Sequence, residues 1–153
     1  MSELQSDPTL AISSYTRGEY TISTDPLLLD VDAIHGYLSR SYWATGRPLS
    51  VVKTSLRHSL NFGLYHGRTQ VGLARVVTDY VIFAYLCDVY VLEEHRGHGL
   101  GKWLINTVVN DPALQSIRRF MLATRDAHGL YAQNGFTPLA EPEILMERVR
   151  ASA

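Results

Sequence analysis

The chain has 153 residues, of which 46% are hydrophobic and 19% charged. That length suits one domain with its own core and leaves little for a second. Lys plus Arg is 14 and Asp plus Glu is 15, a formal net charge of −1, which argues against a duplex nucleic-acid binder with a basic stripe. Cys87 is the single cysteine, so an intrachain disulfide and a cysteine-built zinc cluster are both excluded. No run reaches the roughly 18 apolar residues of a membrane span, and the first residues lack the basic and apolar regions of a secretory signal. The expectation is a cytoplasmic protein with neither nucleic acid nor membrane as partner.

In chain order, residues 1–14 read as a loose polar arm. Glu19–Thr24 alternates as a strand does. Asp30 is placed to cap a helix over Val31–Ser39, with Val31, Ile34 and Leu38 on one face. Pro48 suits the first turn of a second helix running to about His58. Leu60, Phe62 and Leu64 alternate, Tyr65–Arg68 reads as a hairpin turn, and Gln70–Thr78 continues as the next strand. After a turn at Asp79-Tyr80, the apolar run Val81–Leu92 reads as a central strand buried on both faces. Leu100–Asn110 has helical spacing and stops at Pro112. Ile117–Thr124 is a further strand, Ala127–Asn134 a short helix ended by Gly135, and Ile144–Val149 a last strand. Antiparallel hairpins followed by a βαβ unit predict a single α/β domain, residues 1–153, around a mixed sheet.

The chemistry concentrates between the central strand and the helix that follows, at Arg96-Gly97-His98-Gly99-Leu100-Gly101. Glycines at 97, 99 and 101 leave backbone N–H groups uncovered, and the helix start adds its own unpaired N–H groups and the positive end of its dipole. This is a nest for phosphate or pyrophosphate, to which Arg96 can add a charge-assisted contact. Two common nucleotide motifs do not fit. A Walker A loop needs Ser or Thr after Gly-Lys, and Trp103 follows Gly101-Lys102. A dinucleotide fingerprint needs a third glycine where Lys102 stands.

Arg96–Gly101, approached by the strand and acidic turn VYVLEEH, resembles the R-x-x-G-x-G/A motif of the GNAT superfamily of N-acetyltransferases. Gly129-Leu130-Tyr131-Ala132-Gln133-Asn134-Gly135-Phe136 is similar to the family's late LYxxxGF segment. The resemblance covers roughly Phe62–Phe136. It implies a GNAT-like domain with a mostly antiparallel sheet and a splayed parallel strand pair, here Tyr85–Leu92 and Ile117–Thr124, flanked by helices. It implies acetyl-CoA as cosubstrate. The pantetheine arm would lie along the backbone of Val89, Tyr90 and Val91, and the pyrophosphate on Arg96, Gly97, His98, Gly99, Leu100 and Gly101. A backbone N–H near Val89 would polarise the thioester carbonyl. Tyr131 would be the general acid toward the departing thiolate. The acceptor would be a small-molecule or protein amine, and a homodimer is an option the resemblance leaves open.

The general base is the gap. Some members carry a Glu on the central strand, but the face expected toward the cleft holds Phe83, Tyr85, Cys87 and Val89. Asp88 is the nearest carboxylate and should face away unless a bulge rotates it. It enters as a candidate catalytic residue, with pinning of a neighbouring loop as its alternative role. A base acting through water, from Asp79, Tyr80 or a histidine, is a further option. His95 and His98 lack a third ligand nearby, so no metal is expected. Cys87 lacks an evident His partner, which disfavours a covalent route. Tyr15, Tyr20, Tyr42 and Tyr80 lie where they could rim an acceptor pocket. The leading expectation is direct acetyl transfer to a primary amine in a ternary complex. The alternatives are a non-catalytic acyl-CoA-binding or sensor module on the same fold and, more weakly, a nucleotide-binding α/β domain.

Overall fold

A computed structural model describes residues 11–151. Six strands form one sheet in sequential order: β1 (Ser14–Arg17), β2 (Tyr20–Ser23), β3 (Leu60–His66), β4 (Thr69–Thr78), β5 (Phe83–Val91) and β6 (Arg119–Leu122). Neighbours pair antiparallel except β5 and β6, which run parallel. The parallel pair needs a crossover, supplied by α3 (Leu100–Asn110). Helices α1 (Val31–Ser39) and α2 (Leu49–Arg57) connect β2 to β3, and the short α4 (His128–Ala132) follows β6. No helix among the described residues is long and apolar enough to cross a membrane.

The helices start and stop where local chemistry dictates. The Asp30 carboxylate accepts the Ala33 N–H at 3.0 Å and starts α1. Pro48 caps α2. Gly135, at φ +86°, follows α4, where the Phe136 N–H returns to the Tyr131 carbonyl. The sheet separates two apolar layers. Ile22, Phe62, Leu64, Val76, Ala84 and Leu86 pack against Leu100, Leu104, Ile105 and Val108 of α3. Leu73 and Tyr90 pack on the other face against Ile34, Leu38, Val52 and Leu56 of α1 and α2.

Four expectations are corrected. Ser14–Arg17, partly assigned to a loose arm, hairpins with β2 through a turn at Gly18 (φ +60°); residues 1–10 of that arm lie outside the described residues. The β3–β4 turn is confined to Gly67-Arg68, because Tyr65 and His66 still pair with Gln70 and Thr69. Val81 and Ile82 are not part of β5. The Asp79 carboxylate accepts the N–H groups of Val81, Ile82 and Phe83 and winds them into an exposed turn. The expected last strand, Ile144–Val149, does not form; residues 145–150 have no regular structure and lie exposed.

Candidate active site

β5 and β6 pair over only four positions, from Phe83 opposite Arg119 to Leu86 opposite Leu122. Beyond Leu86 the strands splay, and a cleft of about 800 Å³ opens between Cys87–Val89 on one side and Ala123–Ala127 on the other. The parallel pair expected to part here does so. One side of β5 is thus left without a strand neighbour, an edge able to pair with an extended ligand. Trp43, Arg47 and Tyr42, from the segment between α1 and α2, close the cleft on one flank, and Tyr131 lines it from α4.

A bulge in β5 sets which side chains enter. Leu73 pairs with Tyr90 and Arg75 with Cys87, so Asp88 and Val89 together oppose the single residue Ala74. Asp88 takes φ +52°, a conformation Asp tolerates better than most residues. The bulge inverts the alternation of the strand. Before it, Ala84 and Leu86 face α3; after it, Val91 does, while Tyr90 joins α1 and α2. This is the rotation that a plain alternating strand would not give. Asp88 therefore joins Tyr85, Cys87 and Val89 in lining the cleft, whereas Phe83 does not.

Asp88 is held by three donors. Arg75 Nε reaches Oδ2 at 2.8 Å, Arg47 Nη1 reaches Oδ2 at 3.0 Å, and the Trp43 indole N–H reaches Oδ1 at 2.9 Å. Its side chain is 2% exposed, against 14% for Arg75 and 24% for Arg47. Burial pushes the carboxyl pKa up, but the hydrogen bond and charge of Arg75, the charge of Arg47 and the Trp43 bond outweigh it, and the net shift is downward. A carboxylate so engaged is a weak proton acceptor at neutral pH. Its geometry ties β4, β5 and the α1–α2 segment together at the bulge.

The other proposed bases sit elsewhere. Asp79 is committed to its turn, and three backbone hydrogen bonds hold its pKa low. Tyr80 lines a separate cavity with Thr24 and Asn61, and no histidine is among the residues lining the cleft. Of the four tyrosines considered for the rim, only Tyr42 lines the cleft. The Tyr15 hydroxyl donates to Asp111, and the Tyr20 hydroxyl meets His95 Nδ1 at 2.8 Å. Burial raises the Cys87 pKa, with Arg75 opposing that shift, so the thiol is protonated at neutral pH and poorly nucleophilic.

The glycine loop lies between β5 and α3. Gly97 and Gly99 have φ +86° and +73°, and Gly99 is the N-cap of α3 without any side-chain cap. A Cβ built on Gly97, Gly99 or Gly101 meets no heavy atom within 4 Å. The glycines are therefore not required by packing against the rest of the fold; they leave open space over uncapped N–H groups, as an anion cradle requires. Arg96 reaches inward instead: Nε donates to the Val91 carbonyl at 2.8 Å and Nη2 to the Tyr37 hydroxyl at 2.9 Å. It anchors the loop to β5 and α1. Leu100, the first residue of α3, has a buried side chain and His98 is exposed, so each can offer the loop a backbone N–H. Of Val89, Tyr90 and Val91, Val89 lines the cleft, the Tyr90 ring stacks on Tyr37 at 3.9 Å, and the Val91 carbonyl is taken by Arg96.

Tyr131 is 9% exposed and lines the cleft. Its ring meets Phe136 edge-on at 5.9 Å, so both residues of the late motif pack together. Its hydroxyl makes no hydrogen bond to another described residue. Burial, with a smaller contribution from Tyr42, pushes its pKa up to about 12. Sequence reasoning missed Trp43, Arg47, Arg75 and Arg125. Arg75 carried a usable signal: a cation inside the apolar run QVGLARVVT needs a buried counter-charge, and Asp88 is the acid inside the next run.

Comparison with known proteins agrees with this geometry. A family model described as an acetyltransferase (GNAT) domain matches residues 58–138. A Gibberella zeae protein named "Putative acetyltransferase FG08082" is 42% identical over 144 residues, covering 79% of this chain and 80% of that protein. The crystal structure of a GNAT-family protein from Xanthomonas campestris pv. campestris superposes with a TM-score of 0.83 at 52% identity, covering 86% of this chain and 93% of that one. A Clostridium acetobutylicum structure described as a predicted acetyltransferase with acetyl-CoA shares the fold at 14% identity, with a TM-score of 0.61 over 91% of this chain and 97% of that one. The matched span runs from the end of α2 through both motifs and the splayed strands, and on this footing the chain belongs to the GNAT family of acetyltransferases.

Proposed function

We propose that the protein moves an acetyl group from acetyl-CoA to a primary amine by direct transfer in a ternary complex. The observation that carries this is the cleft itself: Cys87–Val89 of β5, beyond the last pairing with β6, line it together with Tyr131, and the open glycine loop follows β5 in the chain. The residues fit the cosubstrate. The space a Cβ would fill at Gly97, Gly99 and Gly101 suits a pyrophosphate, and the free side of β5 at Val89 suits an extended arm with amide groups. Bound acetyl-CoA supplies an activated thioester whose carbonyl an amine can attack. A backbone N–H near Val89 would stabilise charge on that carbonyl oxygen.

Tyr131 holds its proton at neutral pH, as a phenol does and the more so because burial raises its pKa, and donates it from Oη to the departing sulfur. Asp88 acts as the anchor of the bulge, through Arg75 and Arg47. Asp126, exposed at the cleft, is the remaining carboxylate there, and the amine's proton leaves to solvent on that side. Direct transfer suits this site better than a covalent route, because the Cys87 thiol is held protonated.

The acceptor side favours an amine that also carries an anionic group. Tyr42, Trp43 and Tyr85 give aromatic walls. The Arg125 guanidinium lies 4.2 Å over the Tyr42 ring and has no carboxylate partner among the described residues.

The test is thiol release from acetyl-CoA with a panel of primary amines, each with and without a carboxylate. Turnover with amines, and a lower KM for the carboxylate-bearing members, is expected. The commitment of Asp88 to two arginines favours the second reading, a CoA-binding module without turnover. Stabilisation by CoA with no thiol release from any amine would support that reading and overturn the first.

A further inference from the structure

Two arginines share one buried carboxylate at the cleft. Arg47 and Arg75 both donate to Asp88, and no second acid pairs with either among the described residues. Their side chains are 24% and 14% exposed. A mostly buried cation without its own counter-charge is costly, so this group holds a positive charge in excess. The cleft repeats the imbalance: its lining sets Arg47, Arg75 and Arg125 against Asp88 and Asp126. Arg125 has Asp126 beside it in the chain. The pair on Asp88 has no such second acid, and the excess lies there.

Both guanidinium groups keep donors open. Arg47 uses Nη1 on Asp88, and its Nε and Nη2 bond to no described residue. Arg75 uses Nε on Asp88 and Nη1 on the Ser59 hydroxyl at 3.0 Å, which leaves Nη2. None of these three nitrogens is a buried atom without a partner, so each stays accessible where the two residues line the cleft. The neighbouring N–H groups on Arg47 Nε and Nη2 match the two oxygens of a carboxylate.

The geometry points to a subsite for the α-carboxylate of a free amino acid, held by Arg47 with the charge of Arg75 behind it. The choice of an α-amino acid rests on the acetyl-transfer reading, which fixes where the amine must be. That amine attacks a thioester carbonyl near the Val89 N–H, and Val89 follows Asp88, about 3.8 Å on along the chain. Arg47 Nη1 stands 3.0 Å from the Asp88 carboxylate. Amine and carboxylate must therefore lie close together, as they do on one carbon. A polyamine has no carboxylate, and a protein's lysine side chain or N-terminus does not bring one so near its amine. The acceptor's own side chain meets apolar walls. Tyr42, Trp43 and Val77 line the cleft and are 51%, 38% and 42% exposed, and Tyr85 pairs with Val77 across β4 and β5. These walls suit an apolar or aromatic side chain.

Calorimetric titration of the CoA-loaded protein with L-phenylalanine, L-phenylalaninamide and 2-phenylethylamine reads the subsite without needing turnover. L-Phenylalanine should bind roughly 10-fold or more tighter than the other two, the scale of a hydrogen bond to a charged group. Arg47→Gln should erase that preference while 2-phenylethylamine binds as before, and Arg47→Lys, which keeps the charge, should restore part of it. Thiol release from acetyl-CoA with the same three compounds separates the two levels of the argument. Carboxylate-dependent binding without thiol release would sink acetyl transfer and leave the subsite standing. Equal binding of all three by the wild type, or a preference that survives Arg47→Gln, would overturn the subsite.

Discussion

Asp88→Asn separates an anchor from a base. The substitution keeps the shape and leaves Oδ1 as an acceptor for Trp43, but removes the charge that two arginines share. Breaking a buried ion pair costs about 3–5 kcal/mol. Arg47 and Arg75 retain some solvent contact, which places the loss near the lower end, about 3 kcal/mol. For a chain of this size that is a fall in Tm of roughly 6–12 °C. The pH dependence fixes the sign. The folded pKa of Asp88 lies below its ordinary value, so the ionised carboxylate stabilises the fold above about pH 4 and that contribution is lost as pH falls through the lower, folded value. The gap between wild type and variant should be widest at neutral pH and should narrow in acid. Circular-dichroism melts at pH 7 and in acid measure it, alongside kcat at saturating substrates. An unchanged Tm with a collapsed kcat would refute the anchor and make Asp88 a proton acceptor.

Tyr131→Phe removes a hydroxyl with no hydrogen-bond partner among the described residues, so Tm should hold while turnover falls roughly 100-fold and CoA affinity, by calorimetry, stays near wild type. Gly101→Ala places a methyl in open space within α3; it should raise stability by about 0.5–1 kcal/mol and yet weaken CoA binding in the same titration. Cys87→Ala should retain most turnover, and mass spectrometry of the wild type mixed with acetyl-CoA should find no acyl group on Cys87.

Local signals made much of the fold legible. α1 and α3 occupy the spans predicted from the Asp30 cap, the Pro112 stop and apolar spacing, because capping and periodicity act within a few residues. The open backbone of the glycine loop was legible for the same reason, since glycine is how a sequence writes an uncovered backbone. Tyr131 was legible through its motif. What surrounds Asp88 was not. Trp43, Arg47 and Arg75 reach it across 45, 41 and 13 positions of sequence, and nothing local pairs a cation with an acid that far away.

The bulge and the tail show two limits of reading strands from local pattern. A period of two says which residues share a face only while the pairing register holds. One extra residue at Asp88-Val89 exchanges the faces of everything after it, so an acid assigned to the far side enters the cleft, and the residue that bears the positive φ is the one that two arginines hold. The tail fails differently. Its apolar content identifies a segment fit to be a strand but names no neighbour, and pairing is a property of two segments. Among the described residues Ile144–Val149 pairs with no strand, and the outer edge of β6 is open. The apolar run of Ile144, Leu145 and Met146 is a strand signal that goes unanswered among the described residues, because it writes one half of a pair and pairing needs both.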